Sequence, residues 1–211
     1  MNHEHEFTHL SEVDRRKFLQ LSSFATGLVF ANSILSLDSA IALPTTKLPG
    51  FTAFAKSVKV FKSGKYYLVE STGIPSHQMM VGIKSWQQQV PTMQNYAGTN
   101  AWSIPIKPVI ATNPISAKAH FLRGAIAIAV NGVPIFNALN NRGDDALLAG
   151  ELDDWGGHCG RADDYHYHIA PTHLQSVLGK KVPIAYALDG FPIYGETEVD
   201  GKKVTGLDAF N

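Results

Sequence analysis

The sequence has little cysteine and no excess of charge of either sign. Its one cysteine, Cys159, excludes an internal disulfide framework and a cysteine-rich zinc module. The formal net charge of +0 argues against a nucleic-acid-binding protein, because phosphate contacts need clustered Lys and Arg. With 211 residues, 45% of them hydrophobic, the chain has room for one domain or for two small similar units.

Several motifs of well-known enzyme classes are absent as well. The sequence contains no phosphate-binding glycine loop, no His-Glu-x-x-His helix and no Gly-x-Ser-x-Gly elbow. A serine or cysteine nucleophile is therefore unsupported, and the sequence leaves open whether the protein is an enzyme. Nine histidines are the one compositional excess, and neutral imidazole is the commonest metal ligand in proteins.

Residues 1–42 are predicted to be a twin-arginine signal peptide. Arg15 and Arg16 precede a moderately apolar stretch, residues 19–35, whose serines and asparagine make it too polar for a strong transmembrane helix. Residues 40–42, Ala-Ile-Ala, form a small-x-small cleavage site. The expectation is export through the twin-arginine machinery to the periplasm or the extracellular space, with no membrane span after cleavage. A retained amphipathic anchor is the alternative.

The zero net charge conceals a segregation of charge along the predicted mature chain, residues 43–211. Residues 43–123 contain nine basic side chains and a single acid, Glu70, whereas residues 124–211 contain six basic and twelve acidic side chains. Two explanations stay open. The halves attract each other within one fold, or the acidic half concentrates cations.

Short β-type runs separated by turn residues predict a mainly β domain with antiparallel hairpins and minor helix. Ser63-Gly64 and Asn131-Gly132 are hairpin turn signals between such runs. Residues 173–178 are predicted to be a short helix that ends near Gly179. Residues 78–89 are compatible with a helix or with an extended stretch.

An internal repeat is predicted from two units, residues 124–171 and 182–211. Residues 127–136, Ala-Ile-Ala-Val-Asn-Gly-Val-Pro-Ile-Phe, align with residues 185–194, Ala-Tyr-Ala-Leu-Asp-Gly-Phe-Pro-Ile-Tyr. Residues 152–156 then align with residues 207–211 in the same order, which strengthens the match. A histidine segment follows in the first unit, and the second is expected to be truncated before its counterpart.

The residues that carry chemistry cluster between Gly150 and Pro171. In residues 165–168, Tyr-His-Tyr-His, a β-strand would direct both imidazoles to one face and both phenols to the other. His158 on the preceding glycine-rich loop is a natural third ligand for a transition-metal ion. Asp153, Asp189 and, more distantly, His77 are further candidate ligands. For Cys159, burial as a small hydrophobe is favoured over ligation.

Residues 165–168, with Gly157-His158 before them and the two flanking segments 131–136 and 188–195, resemble the YHYH domain family. The similarity runs from about Gly73 to Asn211 and is densest after Gly124. Family members typically continue, after the segment matching residues 207–211, with another Gly-His and a second Tyr-His-Tyr-His. The resemblance implies no particular activity.

Three functions stay open at this point, of which the last is a surface or scaffold protein with no small ligand. The first is an exported protein that binds a transition-metal ion of unspecified identity through its histidine cluster. The second is a non-catalytic extracytoplasmic module that binds a glycan or peptide through exposed aromatic rings, with structural histidines. Its rings would be Tyr165, Tyr167, Trp155, Trp86 and Trp102.

Overall fold

The computed structural model of the protein describes residues 48–198 and 200–206. The predicted signal peptide, residues 1–42, lies outside these residues and stays a prediction. Within the described ranges no helix is both long and apolar enough to cross a membrane. The predicted mainly β fold is confirmed.

The first sheet has three antiparallel strands in the order β1-β2-β3. They are β1 (Lys59–Ser63), β2 (Tyr66–Glu70) and β3 (Trp102–Pro105). The predicted β1–β2 hairpin is confirmed, with Gly64 at φ 55° in its turn. Between β2 and β3 the chain has irregular structure and one 3₁₀ helix, Gly98–Asn100, so residues 78–89 form no helix.

The second sheet has six strands in the order β6-β7-β5-β4-β8-β9. They are β4 (Ala125–Ala129), β5 (Pro134–Phe136), β6 (Gly157–Cys159), β7 (Tyr165–Tyr167), β8 (Ala185–Ala187) and β9 (Pro192–Ile193). The pairing of β5 with β7 is parallel, unlike the hairpins expected from the sequence, and the other pairs are antiparallel. A parallel pair is possible here because a long connection that includes β6, rather than a tight turn, leads from β5 to β7.

The β4–β5 and β8–β9 hairpins have the same turn geometry. Ala129 N–H donates to Val133 O at 2.9 Å, and the aligned Ala187 N–H donates to Phe191 O at 2.8 Å. Strands β4 and β8 also pair symmetrically about Ile128 and Tyr186. The other half of the predicted repeat falls on residues 207–211, outside the described residues, so the repeat as a whole stays a prediction.

The two sheets share one hydrophobic core. Val60, Val69 and Ile104 from the first sheet, Ile128 from the second and Val130 just after β4 are fully buried in it. Burial of such aliphatic side chains stabilises a fold by about 1.5 to 3 kcal/mol each, before the entropy of ordering the chain is subtracted.

One close backbone approach fixes the sheets against each other. Ser71, just after β2, donates its hydroxyl to Gly132 O at 2.6 Å. A Cβ on Gly132 would lie 2.6 Å from Ser71 Cβ, and the residue has φ +85°. Only glycine adopts this positive φ at low cost and also leaves room for the Ser71 side chain.

A short helical segment precedes β8, as the sequence predicts. It consists of a 3₁₀ helix, Thr172–Leu174, followed directly by the helix α1 (Gln175–Leu178). Gly179 at φ 81° ends it and turns the chain towards β8. A further 3₁₀ helix, Phe51–Phe54, packs its Phe51 ring on Tyr186 of β8 at a centroid separation of 5.7 Å.

Candidate metal centre

The register of the β6–β7 hairpin brings the three predicted imidazole ligands together. His158 lies opposite His166 in this antiparallel pair, so the two side chains share a face. His168, two residues after His166, follows on that face. The predicted separation of imidazoles from phenols is confirmed, since the rings of Tyr165 and Tyr167 meet edge to face on the other side, 5.6 Å apart.

The three imidazoles converge on one point through their Nε2 atoms. His168 Nε2 lies 3.1 Å from His158 Nε2 and 3.2 Å from His166 Nε2. The three residues are the one group of His, Cys, Asp and Glu in the described part of the chain that could hold a metal ion. Each is at most 6% exposed.

The Nδ1 atom of each imidazole, which points away from the centre of the triad, contacts a backbone carbonyl that fixes the ring. His158 Nδ1 lies 3.0 Å from Glu151 O, His166 Nδ1 lies 2.9 Å from Asp164 O, and His168 Nδ1 lies 2.5 Å from Asn137 O. A carbonyl oxygen only accepts hydrogen bonds, so in each contact Nδ1 carries the proton and donates it. All three Nε2 atoms of the neutral rings are then left with lone pairs that face one another.

Burial keeps these imidazoles neutral. It lowers the pKa of His158 to about 4, and the neighbouring His168 adds to the effect. It lowers the pKa of His166 to about 3, with further contributions from His168 and His158. The pKa of His168 is lowered by burial as well. A neutral imidazole with a free Nε2 is the form that coordinates metals.

The separations between the nitrogens match the requirements of a metal ion. With metal–nitrogen bonds of about 2.0 to 2.1 Å, His168 Nε2 and either of its two neighbours, at 3.1 and 3.2 Å, subtend roughly 100° at the ion, and all three ligand atoms lie within 4.8 Å of one another. This angle lies between the value for one face of an octahedron and that for a tetrahedron. Three such ligands occupy one side of an ion and leave its other side for a further ligand.

The open side of the triad faces a cavity of about 340 Å³. Its walls include Phe136, which stacks on His166 at a centroid distance of 3.9 Å, and Trp86, which lies 4.7 Å from His158. Trp86 Nε1 donates to Cys159 O at 3.1 Å, which holds the indole against β6. These rings limit how the imidazoles can turn.

A buried carboxylate lies on the same cavity. Glu151 is 3% exposed, and its oxygens accept hydrogen bonds from Asn140 Nδ2 and from the guanidinium of Arg142. Because its backbone carbonyl also accepts from His158 Nδ1, Glu151 ties the cavity wall to the triad.

Asp153, a predicted ligand, is a structural acceptor. Its Oδ1 accepts from Trp155 N and Gly157 N, and its Oδ2 accepts from Met80 N and the Tyr165 hydroxyl, all at 2.8 to 3.0 Å. These four bonds hold the loop into β6 on the phenol side of the hairpin. The structure does not bring Asp153 to the imidazole triad.

The other predicted ligands also lie elsewhere. His77 is on the phenol side, where its Nε2 accepts from the Tyr167 hydroxyl at 2.7 Å. Asp189 is exposed in the β8–β9 turn, and β4 and β5 separate that hairpin from β7. Cys159 is fully buried, as predicted, and burial raises the pKa of its thiol to about 12.

The phenol side forms a second cluster of aromatic rings. Tyr165 and Tyr167 are 1% and 0% exposed, so neither provides the exposed ring that a glycan-binding surface needs. His77 stacks on Trp155 at 4.8 Å and meets His173 edge to face at 5.2 Å. Within the described residues, His173 Nε2 is buried without a hydrogen-bond partner.

Sequence reasoning missed several residues of the centre. Asn137 presents the carbonyl that fixes His168, and its own amide donates to Ala117 O and His120 O. Trp86 and Phe136 provide the walls. No sequence motif marks Asn137 or Trp86, because a carbonyl anchor is independent of residue type and Trp86 lies in an irregular segment. Phe136 ends the repeated segment 127–136, but that repeat does not indicate that its ring lies beside His166.

Comparison with known proteins identifies a family for the segment that contains the triad. Residues 101–206, half of the 211-residue chain, match the family described as YHYH protein. This segment includes the whole imidazole triad and all six strands of the second sheet. Neither a curated protein nor a solved structure matches the chain. On the strength of this match and of the motif that builds its histidine face, the chain belongs to the YHYH protein family.

Proposed function

We propose that this protein is an exported metal-binding protein that holds one transition-metal ion on the Nε2 atoms of His158, His166 and His168. One observation carries the proposal: three buried nitrogen lone pairs face one another while the ring protons are donated to backbone carbonyls. Such an arrangement is repulsive without a positive charge at its centre, and a metal ion supplies that charge.

A purely structural role for the histidines accounts for less of the geometry. Buried structural histidines would also donate to carbonyls, as these do, but their second nitrogens would then need donors. Here the nearest polar partners of the Nε2 atoms are one another. An added proton would form a bridge between two rings, but burial opposes it, as the lowered pKa values show.

The chemistry of the donor set limits the choice of metal. Three imidazoles favour zinc, copper, nickel or iron over magnesium and calcium, which prefer oxygen ligands. By affinity alone copper is the strongest competitor. Export in the folded state through the twin-arginine machinery would let the cytoplasm determine which ion is loaded.

Elemental analysis of the full chain, expressed and exported without added metal, tests the proposal. We expect roughly one ion per chain in the wild type and less than a tenth of that in a His166→Ala/His168→Ala variant. A His77→Ala/His173→Ala variant is the matched control, because it removes two histidines that pack on the phenol side of the β6–β7 hairpin. Equal metal content in all three proteins, each shown to be folded by circular dichroism, would exclude the proposed centre.

A further inference from the structure

The cavity in front of the triad has a basic rim. Three arginines line it: Arg123 just before β4, Arg142 in the loop after β5, and Arg161 in the β6–β7 turn. These three loops are distant in sequence, and the sheet order brings them to the same opening. Arg142 and Arg161 are two of the six basic residues of the acidic half of the chain, and Arg123 is the last basic residue of the basic half.

Arg123 and Arg161 differ from Arg142 in having no acidic partner among the described residues. Arg142 pairs with Glu151 and Asp144. Among the described residues, neither Arg123 nor Arg161 has a carboxylate within salt-bridge distance. The cavity therefore combines one guanidinium that is shared between two carboxylates with two exposed guanidinium groups that are not paired. An ion on the triad would add positive charge at the base of the cavity.

The walls between the rim and the triad have a polar part, with Asn140, Asn141 and Glu151, and an apolar part. Trp86 and Phe136 lie over the imidazoles, and Leu122 adjoins Arg123 at the edge. A volume of about 340 Å³ is at the small end of the range for small-molecule sites. The space fits a compact molecule with a flat apolar part better than a polymer chain.

We propose that this cavity binds a small organic oxyanion, with its carboxylate or phosphate group between the metal site and the guanidinium groups of Arg123 and Arg161. The proposal rests on the proposed metal-binding function and names the class of ligand for the same site. Guanidinium groups recognise oxyanions through paired N–H donors, and the basic rim attracts an anion from solution. The carboxylate of Glu151 does not prevent an anion from binding in the cavity, because Asn140 and Arg142 already bind its oxygens.

Titration of the cobalt-loaded protein with acetate, benzoate and inorganic phosphate tests the proposal. Cobalt(II) is added to the chelator-treated full chain, and its visible absorption reports a ligand at the open side of the triad. We expect benzoate to bind more tightly than acetate because of Trp86 and Phe136. An Arg123→Gln/Arg161→Gln variant should bind the oxyanions about tenfold or more weakly.

The matched control is Lys62→Gln/Lys65→Gln, which removes the same charge from the lining of another cavity and should change affinity less than about twofold. Arg142 is left in place because its loss would leave buried Glu151 without its partner.

Cobalt should remain stoichiometric in all three proteins. If it does and the arginine variant binds oxyanions as the wild type does, the anion site is refuted while the metal site stands. If the wild type binds no cobalt, both proposals fail. Phosphate bound more tightly than benzoate would overturn the organic part of the proposal.

Discussion

At the scale of single residues, the glycine before His158 shows how tightly the imidazole face is built. A Cβ on Gly157 would lie 2.6 Å from His166 O and 2.6 Å from the Tyr165 ring. The backbone of β6 thus approaches β7 with no room for a methyl group. The residue has no positive φ, so the restriction is steric and not conformational.

We expect Gly157→Ala to destabilise the protein by about 1 to 3 kcal/mol, the usual cost of overpacking, and to lower its metal content. Gly206→Ala is the matched control, since that glycine has open space and no positive φ, and it should change stability by less than about 0.5 kcal/mol. Urea unfolding and elemental analysis of both variants provide the measurements. Similar unfolding free energies for the two variants would contradict the packing described for this hairpin.

Asp153 gives a second prediction at this scale, because its two oxygens accept four hydrogen bonds. Asp153→Asn replaces one acceptor by a donor that faces other donors, so we expect a loss of about 1 to 3 kcal/mol in the free energy of unfolding. The metal content of the folded fraction should stay close to that of the wild type. Asp154→Asn, at the neighbouring exposed position, should change neither quantity. Loss of metal from the folded Asp153→Asn variant would indicate that Asp153 is a metal ligand after all.

At the scale of elements, local patterns predicted the hairpins and the histidine face but not its surroundings. Strand alternation in residues 165–168 settles which rings share a face, and turn dipeptides mark the β1–β2 and β4–β5 hairpins. The placement of His77 depends instead on how the irregular segment before β3 packs on β7, which no local pattern encodes. The same holds for the parallel β5–β7 pair, which sets Phe136 beside His166.

The buried imidazoles predict a pH dependence of stability. In the folded chain burial lowers the pKa of His158 to about 4, of His166 to about 3 and of His173 to about 4, against 6.5 as the ordinary value. The unfolded chain therefore binds more protons below pH 6.5, and the free energy of unfolding falls as the pH falls from about 6.5 towards 4. The slope is roughly 1.4 kcal/mol per pH unit for each proton taken up.

Urea unfolding of the chelator-treated protein at several pH values between 7.5 and 4.5 measures this dependence. His158→Gln/His173→Gln should show a shallower slope than the wild type, because two of the groups that take up protons on unfolding are gone. His120→Gln, at an exposed position, should leave the slope unchanged. A stability that rises towards acid pH would contradict the neutral state of the buried rings.

At the scale of the whole molecule, the two oppositely charged halves are not joined by ion pairs in the described part of the chain. The salt bridges found there, Arg142 with Asp144 and Glu151 and Lys202 with Asp200, all connect residues of the acidic half. Contact between the halves instead comes from the shared hydrophobic core and from polar links such as Gln89 Nε2 to Gly160 O at 2.7 Å. Direct neutralisation therefore does not explain the segregation of charge.

The proposed route of export makes the last prediction, because it couples the order of folding to the identity of the metal. The twin-arginine route carries folded proteins, so the triad would be complete, and its ion bound, before the chain leaves the cytoplasm. Replacing Arg15 and Arg16 by lysine keeps the charge but removes the recognition pair, and we expect the uncleaved precursor to remain in the cytoplasm with its metal bound. Lys17→Arg, which leaves the pair intact, should be exported as the wild type is.

Fractionation, immunoblotting and elemental analysis of the retained precursor measure these outcomes. A precursor that is retained but metal-free would mean that the ion is acquired after export, and unchanged export of the lysine variant would rule out this route.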